Sequence, residues 1–147
     1  MTSWETFAEA EPALAAFGYG RLAAAPAYLA TIRSDGLPRV HPVTPIVGAG
    51  GLYLFMEPTS PKGRDLRERG TFALHNGVPN GEGAGGEFWI AGQAAVVDDP
   101  RTRAAVIAVA SYAPADRYIL FELSVTEARC NGYGDVELPP STRWIAP

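Results

Sequence analysis

An antiparallel β-barrel with peripheral helices is the fold class that the sequence predicts, and three observations carry that prediction. Short runs rich in Val, Ile, Leu, Phe and Tyr recur from Ala27 onward, separated by turn residues. Helical patterns fall between only some of these runs, so the regular alternation of a doubly wound parallel sheet is absent. The chain has 147 residues, of which 47% are hydrophobic and 19% charged. That suits a single domain, residues 1–147, with one core, and argues against a disordered or fibrous chain.

The chain opens with a helical segment, residues 1–25. Thr2 with Glu5 three residues on fits a capping box, and Ser3 is an alternative cap. Pro12 suits the first turn of a second helix through PALAAFGYGRLAAA, whose Leu14, Phe17 and Leu22 share a face while Arg21 stays in water. AYLATIR then reads as a strand. Ser34-Asp35-Gly36 turns it into LPRVHPVTPIV, read as one further strand. The glycine turn Gly48 to Gly51 leads into LYLFME, followed by a short helix in SPKGRDLRERG and a strand FALH. Residues 77 to 86 form a loop, FWIAGQAAVV a strand, and Asp98-Asp99-Pro100 the start of a helix. RYILFELSVTEAR is a long final strand, and residues 131–147 form a Pro-rich tail. The sum is about six strands.

Several function classes are disfavoured. The apolar run Leu22 to Ile32 is broken by Pro26 and too short to cross a bilayer, so no membrane partner is expected. MTSWETFAEAEP lacks the basic start and apolar stretch of a secretory signal. Cys130 is the single cysteine, so no internal disulfide forms, and no Cys/His cluster exists for zinc. A cytoplasmic location follows as the expectation. A net charge of −4 and a pI near 5.1 disfavour nucleic acid as a partner. Lys62 is the sole lysine, and His41 and His75 are the only histidines. With so few nucleophiles and proton-transfer groups, any catalysis draws its chemistry from a cofactor.

Gly81, Gly83 and Gly86 spell GxGxxG, but no strand closely precedes them and a strand, not a helix, follows. A flexible hairpin loop therefore displaces the dinucleotide-binding reading. Thr59-Ser60-Pro61-Lys62-Gly63-Arg64 is more informative. Ser60 fits an N-cap and Pro61 a first helical residue, leaving the Lys62 and Gly63 N–H groups pointing out of the helix start. Gly63 leaves room for an approaching anion. A helix N-terminus with a hydroxyl, the ammonium of Lys62 and the guanidinium of Arg64 makes a phosphate site. The alternative is an ordinary capped surface helix, which this segment taken alone favours. In Arg39-Val40-His41-Pro42-Val43-Thr44-Pro45, the prolines leave ladder positions unpaired. Either a planar ligand with amide-like edges meets them, or the prolines keep an edge strand from sticking, and the segment alone favours the edge strand.

Taken in order, LATIRSDGLPRVHPVTPIV, LYLF, TSPKGRDLRERGTFALH and FWIAGQAAVVDDP resemble the pyridoxamine 5′-phosphate oxidase-like, FMN-binding split-barrel family. The resemblance covers roughly Ala27 to Pro100 and is weaker through ILFELSVTEARCNGY. It implies a six-stranded antiparallel split β-barrel, a homodimer, and cofactor sites at the subunit interface. It also implies that His41, Pro42, Val43 and Thr44 lie along the flavin ring, with Phe55 and Met56 near the ring and ribityl chain. Ser60 and Lys62 would hold the phosphate, with Arg39 and Arg64 as weaker additions. Glu87, Trp89 or Trp144 of a second subunit would complete the site. His41 would orient the ring or a substrate, unless it is a half-buried strand histidine satisfied by hydrogen bonds.

Two departures restrict what carries over. The family's oxidases have an Arg-Lys pair at the phosphate, and here Pro61 stands at the Arg position. Their C-terminal substrate segment contains Arg and His, whereas ELPPSTRWIAP has no histidine, which argues against vitamin B6 synthesis. The expectation is an oxidoreductase using FMN to move hydride to or from a small organic substrate. The alternatives are a reductase using the deazaflavin coenzyme F-420, a non-catalytic flavin-binding or sensing dimer, and a dimer that has lost its site. A haem-binding branch exists in the wider fold, without specific support in this sequence.

Overall fold

The computed structural model describes residues 2–24 and 26–147, so Met1 and Ala25, the ends of the predicted helical segment, lie outside the described residues. Helix α1 (Trp4–Ala10) is capped by Ser3, whose Oγ accepts from the Thr6 N–H at 3.1 Å. Thr2 lies one residue before the cap, and its carbonyl accepts from the Val125 N–H at 2.6 Å, tying the N-terminus to a strand. Helix α2 (Pro12–Leu22) buries Leu14, Ala15, Phe17 and Leu22. A Cβ at its Gly18 would sit 2.5 Å from the Phe88 ring. The glycine that weakens the helix in isolation thus lets it lie close on the sheet. Arg21 is half-buried rather than wholly in water. Its guanidinium lies 3.5 Å from the Phe17 ring centroid, and its Nε–H donates to the Gly85 carbonyl at 2.9 Å.

The strands are β1 (Ala27–Ile32), β2 (Pro38–Val43), β3 (Ile46–Gly48), β4 (Gly51–Met56), β5 (Thr71–His75), β6 (Glu87–Val96), β7 (Ile119–Asn131) and β8 (Arg143–Ile145). Helix α3 (Pro61–Glu68) joins β4 to β5, and α4 (Pro100–Val109), capped by Asp99, joins β6 to β7. Every pairing is antiparallel, in the order β2-β1-β5-β6-β7-β4-β3, with β8 on β7. The six strands of five or more residues are those expected from the sequence. Two corrections concern short elements. LPRVHPVTPIV is not one strand, because Thr44 and Pro45 separate β2 from β3. The tail, for its part, adds β8 to the sheet.

Strands β2 and β3 stand at opposite ends of that order, yet only Thr44 and Pro45 join them. Val43 to Ile46 can span at most about 11 Å, so the sheet must curl until its two edges face each other. The result is a half-barrel with a seam, and Pro45 has no N–H with which to close it.

Strand β4 is buried at every position and feeds two clusters. Leu52, Leu54 and Met56 join the main core with Phe7, Leu14, Leu29, Leu74, Phe88 and Phe121. Tyr53 and Phe55, on the opposite face, pack with Ile46, Val106 and Leu120 beneath α4. At about 1.5–3 kcal/mol for each fully buried large apolar side chain, this strand is a principal source of stability.

Helix α3 is fixed from below by Leu66 and by Asp65, the latter 4% exposed. The Thr31 hydroxyl donates to Asp65 Oδ2 at 2.7 Å and the Arg39 Nε–H donates to the same oxygen at 2.9 Å. Arg69 stands 3.9 Å from Oδ1. Burial pushes the Asp65 carboxyl up, but these two hydrogen bonds and the charges of Arg39 and Arg69 outweigh it and hold it below the ordinary value.

Across β2, β1, β5 and β6 the outward face carries two rows that are mostly apolar. Val40, Ala30, Ala73 and Ala91 run side by side across four strands, and Pro42, Tyr28, His75 and Trp89 form the next row. Val40 is 62% exposed and Tyr28 48%.

Candidate functional site

A cavity of about 340 Å³ opens where β2 leaves the sheet and β4 ends. Pro42, Val43 and Thr44 form one wall, Phe55 and Met56 the floor, and Glu57 and Lys62 the mouth beside α3. Phe55 and Met56 point to opposite faces of β4, and both reach the cavity because it lies at the strand's end. Tyr112 and Tyr118, from the α4–β7 connection, close the remaining side. The volume lies at the low end of the range for small-molecule sites, about 300–1,000 Å³.

Six of the ten residues singled out in the sequence therefore meet at one cavity: Pro42, Val43, Thr44, Phe55, Met56 and Lys62. The other four stand apart from its lining. Ser60 is the N-cap of α3, its Oγ accepting from the Gly63 N–H at 3.1 Å. Its hydroxyl hydrogen is left to donate, and the Lys62 N–H remains an unpaired first-turn donor. Arg39 is spent on Asp65, and Arg64 is exposed on the helix surface. His41 shares the half-buried face of β2 with Arg39 and Val43. Burial and the charges of Lys62 and Arg39 push its pKa below the usual value, against the opposing pull of Asp65, so its imidazole is neutral at pH 7.

The reading of Gly63 needs correction. Its N–H does not point to an open mouth, because Ser60 takes it. A Cβ there would lie 2.8 Å from Ser60 Oγ and 3.3 Å from the Glu57 carbonyl, so the glycine serves the packing of α3 on the end of β4.

Tyr112 and Tyr118 carried no local signal in the sequence, since they stand more than fifty positions beyond β4 with no motif around them. Arg103 of α4 holds their loop, donating to the carbonyls of Tyr118 at 2.7 Å, Asp116 at 3.2 Å and Ala115 at 3.3 Å. Its guanidinium also lies 5.0 Å from the Phe55 ring centroid. Burial and the nearby Tyr118 push the Tyr112 phenol up, so it stays protonated and able to donate.

The other sequence candidates have separate roles. His75 Nδ1 accepts from the Gly77 N–H at 2.8 Å, which puts the ring proton on Nε2, 2.8 Å from Glu87 Oε2. Trp144 packs on Phe7 with centroids 5.1 Å apart. Trp89 lies on the outer face between His75 and Arg129, whose guanidinium is 5.7 Å from its ring centroid. The GxGxxG glycines lie in the β5–β6 loop ahead of a strand, where Gly83 (φ +69°) packs under Tyr133. A larger cavity of about 540 Å³ lies between α2, β1 and that loop. Its one charged side chain, Arg21, is already engaged, and none of the ten candidates lines it. Among the described residues no His/Cys/Asp/Glu cluster could hold a metal, and no helix is long and apolar enough to cross a membrane.

A curled antiparallel sheet with a seam-side cavity beside a capped helix start makes the fold a split barrel. The comparisons agree at the level of fold. A heme binding protein from Mycobacterium smegmatis superposes with a TM-score of 0.64 at 21% identity, covering 86% of this chain and 57% of that one. This chain thus spans little more than half of that relative's length. HutZ, the heme storage protein of Vibrio cholerae, gives 0.63 at 16% identity over 84% of this chain and 96% of its own. A Listeria innocua protein provisionally assigned as a pyridoxamine 5′-phosphate oxidase gives 0.60 at 14% identity, covering 76% and 93%. No protein-family model matches the chain, and no curated protein matches it.

Proposed function

We propose that the protein is a flavin-type oxidoreductase that binds FMN at the seam cavity of a homodimer and moves hydride to or from a small organic substrate. The observation that carries this reading is the convergence of Pro42, Val43, Thr44, Phe55, Met56 and Lys62, from three separate stretches of chain, on one cavity. The donor set fits the cofactor: a flat apolar floor and wall for a ring, with an ammonium and a helix start at the mouth for a phosphate. When bound, the flavin supplies the hydride chemistry. Lys62 and the Ser60 hydroxyl anchor the phosphate, Phe55 and Met56 keep water from the ring, and Tyr112 donates a hydrogen bond from its protonated phenol. Neutral His41 beside the wall does not add a positive charge to the ring's surroundings.

A second subunit is part of the reading. The rows Val40-Ala30-Ala73-Ala91 and Pro42-Tyr28-His75-Trp89 offer an apolar outer face that a monomer would leave wet. Pro42 belongs to both that face and the cavity, so a partner seated there would reach the site. Trp89, in the same row as Pro42, is the partner-side residue proposed to do so. The single domain and the cytoplasmic location remain part of this proposal.

The test is a fluorescence titration of cofactor-free protein with FMN, the deazaflavin coenzyme F-420 and hemin. FMN binds tightest on this reading, and Lys62→Ala weakens it by about 1.5–3 kcal/mol, the scale of a lost charge-assisted hydrogen bond. Preference for the deazaflavin reassigns the cofactor, preference for hemin removes the flavin altogether, and unchanged FMN affinity in Lys62→Ala refutes the phosphate site. Bound FMN that no donor reduces and no acceptor reoxidises would leave a binding or sensing dimer.

A further inference from the structure

The mouth of the seam cavity holds one cation, Lys62, and one anion, Glu57, opposite charges on one lining. They do not meet. Glu57 is turned onto Arg117, which lies sixty residues away in sequence. The Arg117 Nε–H donates to both carboxylate oxygens, at 2.9 and 3.1 Å, and Nη2 donates to Oε2 at 2.9 Å. The carboxylate is thereby held by a planar fork, the geometry an arginine satisfies and a lysine cannot. Every ion pair among the described residues uses an arginine or His75, and Lys62 belongs to none of them.

We infer that Arg117 is a positioning residue for anion binding: it sequesters Glu57 so that the charge of Lys62 stays available to a phosphate entering the cavity. This rests on the phosphate reading proposed above. The backbone supports it, because the Glu57 carbonyl accepts from the Ser60 N–H at 3.0 Å and so seats Glu57 against the helix start. A carboxylate anchored there and released by Arg117 has Lys62 as the cation on its own cavity wall. It would also repel an incoming phosphate directly. Arg117 thus removes a competitor without itself lining the cavity.

The test uses FMN and riboflavin, which share the ring and differ in the phosphate, titrated against the purified protein. Arg117→Ala weakens FMN about three- to fivefold, the range of an exposed ion pair, and leaves riboflavin unchanged. The loss fades at high salt. Glu57→Gln alone keeps FMN as tight as wild type or tighter, and in the Arg117→Ala background it restores wild-type affinity. A purely mechanical role for the pair, as a clasp on the α4–β7 loop, gives the opposite pattern. Glu57→Gln would then cost as much as Arg117→Ala, riboflavin would suffer equally, and the double variant would not recover. That pattern overturns the inference. So does FMN binding that depends on Lys62 but is indifferent to Arg117, which leaves the phosphate reading standing. Wild-type protein that binds neither probe overturns both.

Discussion

Asp65→Asn removes one charge from the anchor of α3 while changing almost no volume, and the structure specifies its cost. The amide oxygen can occupy the place of Oδ2 and keep both the Thr31 and Arg39 hydrogen bonds, as neutral rather than charge-assisted bonds. The amide nitrogen then faces Arg69, donor against cation, at the site of the present 3.9 Å contact. Arg39 and Arg69 are each nearly a third exposed, so solvent screens part of the loss. The difference between charge-assisted and neutral bonds, discounted for that screening, gives about 1.5–2.5 kcal/mol at pH 7. For a chain of this size that lowers Tm by about 4–8 °C. The carboxyl pKa is depressed in the folded state, so its contribution is fully present above the unfolded value near 3.9 and disappears as pH falls through the folded value. Urea denaturation of wild type and variant at pH 7 and at stepwise lower pH therefore shows two curves that converge in acid. A difference under about 0.5 kcal/mol at pH 7, or one that persists undiminished at the lowest pH, refutes the assignment of Asp65 as a charged anchor.

Further outcomes follow from the same contacts. Gly63→Ala lowers stability by about 1–2 kcal/mol although alanine favours helix, because its Cβ meets Ser60 Oγ and the Glu57 carbonyl; a rise in Tm would overturn the packing role given to Gly63. Gly18→Ala costs about 1–3 kcal/mol by pressing α2 off the Phe88 ring, and chemical denaturation reads it. Val40→Glu places a charge in the apolar row on the outer face and shifts the particle toward 15.6 kDa in light scattering. A wild-type protein already at that mass removes the dimer.

What could be read from the sequence followed the range over which its signals act. Apolar runs bounded by Ser34-Asp35-Gly36, or by Gly48 to Gly51, mark a strand whatever lies elsewhere in the chain. The six long strands were legible for that reason, as were the caps Ser60 and Asp99 beside their prolines. Ile46–Gly48 and Arg143–Ile145 are too short to alternate, and they form strands only because β4 and β7 present open edges to them. Ser60 and Lys62 were legible as a local capped helix start. Tyr112, Tyr118 and the Glu57–Arg117 pair were not, since nothing local records which loop folds over β4. Gly63 was correctly marked as needed, but a missing side chain does not say whether a ligand or the neighbouring backbone fills its space.

The two-residue bridge Thr44–Pro45 bears on how the protein leaves its native state. The cavity exists only while both edges of the sheet are held together, because its walls come from residues 42–44, 55–57 and 62, and from Tyr112 and Tyr118. A half-formed sheet, with β1 on β2 and β5 but β4 not yet on β7, has one wall of the cavity without its floor. A ligand therefore has no purchase on early intermediates. It adds its binding energy only after the curl is complete, slowing departure from the closed barrel while leaving the rate of reaching it unchanged.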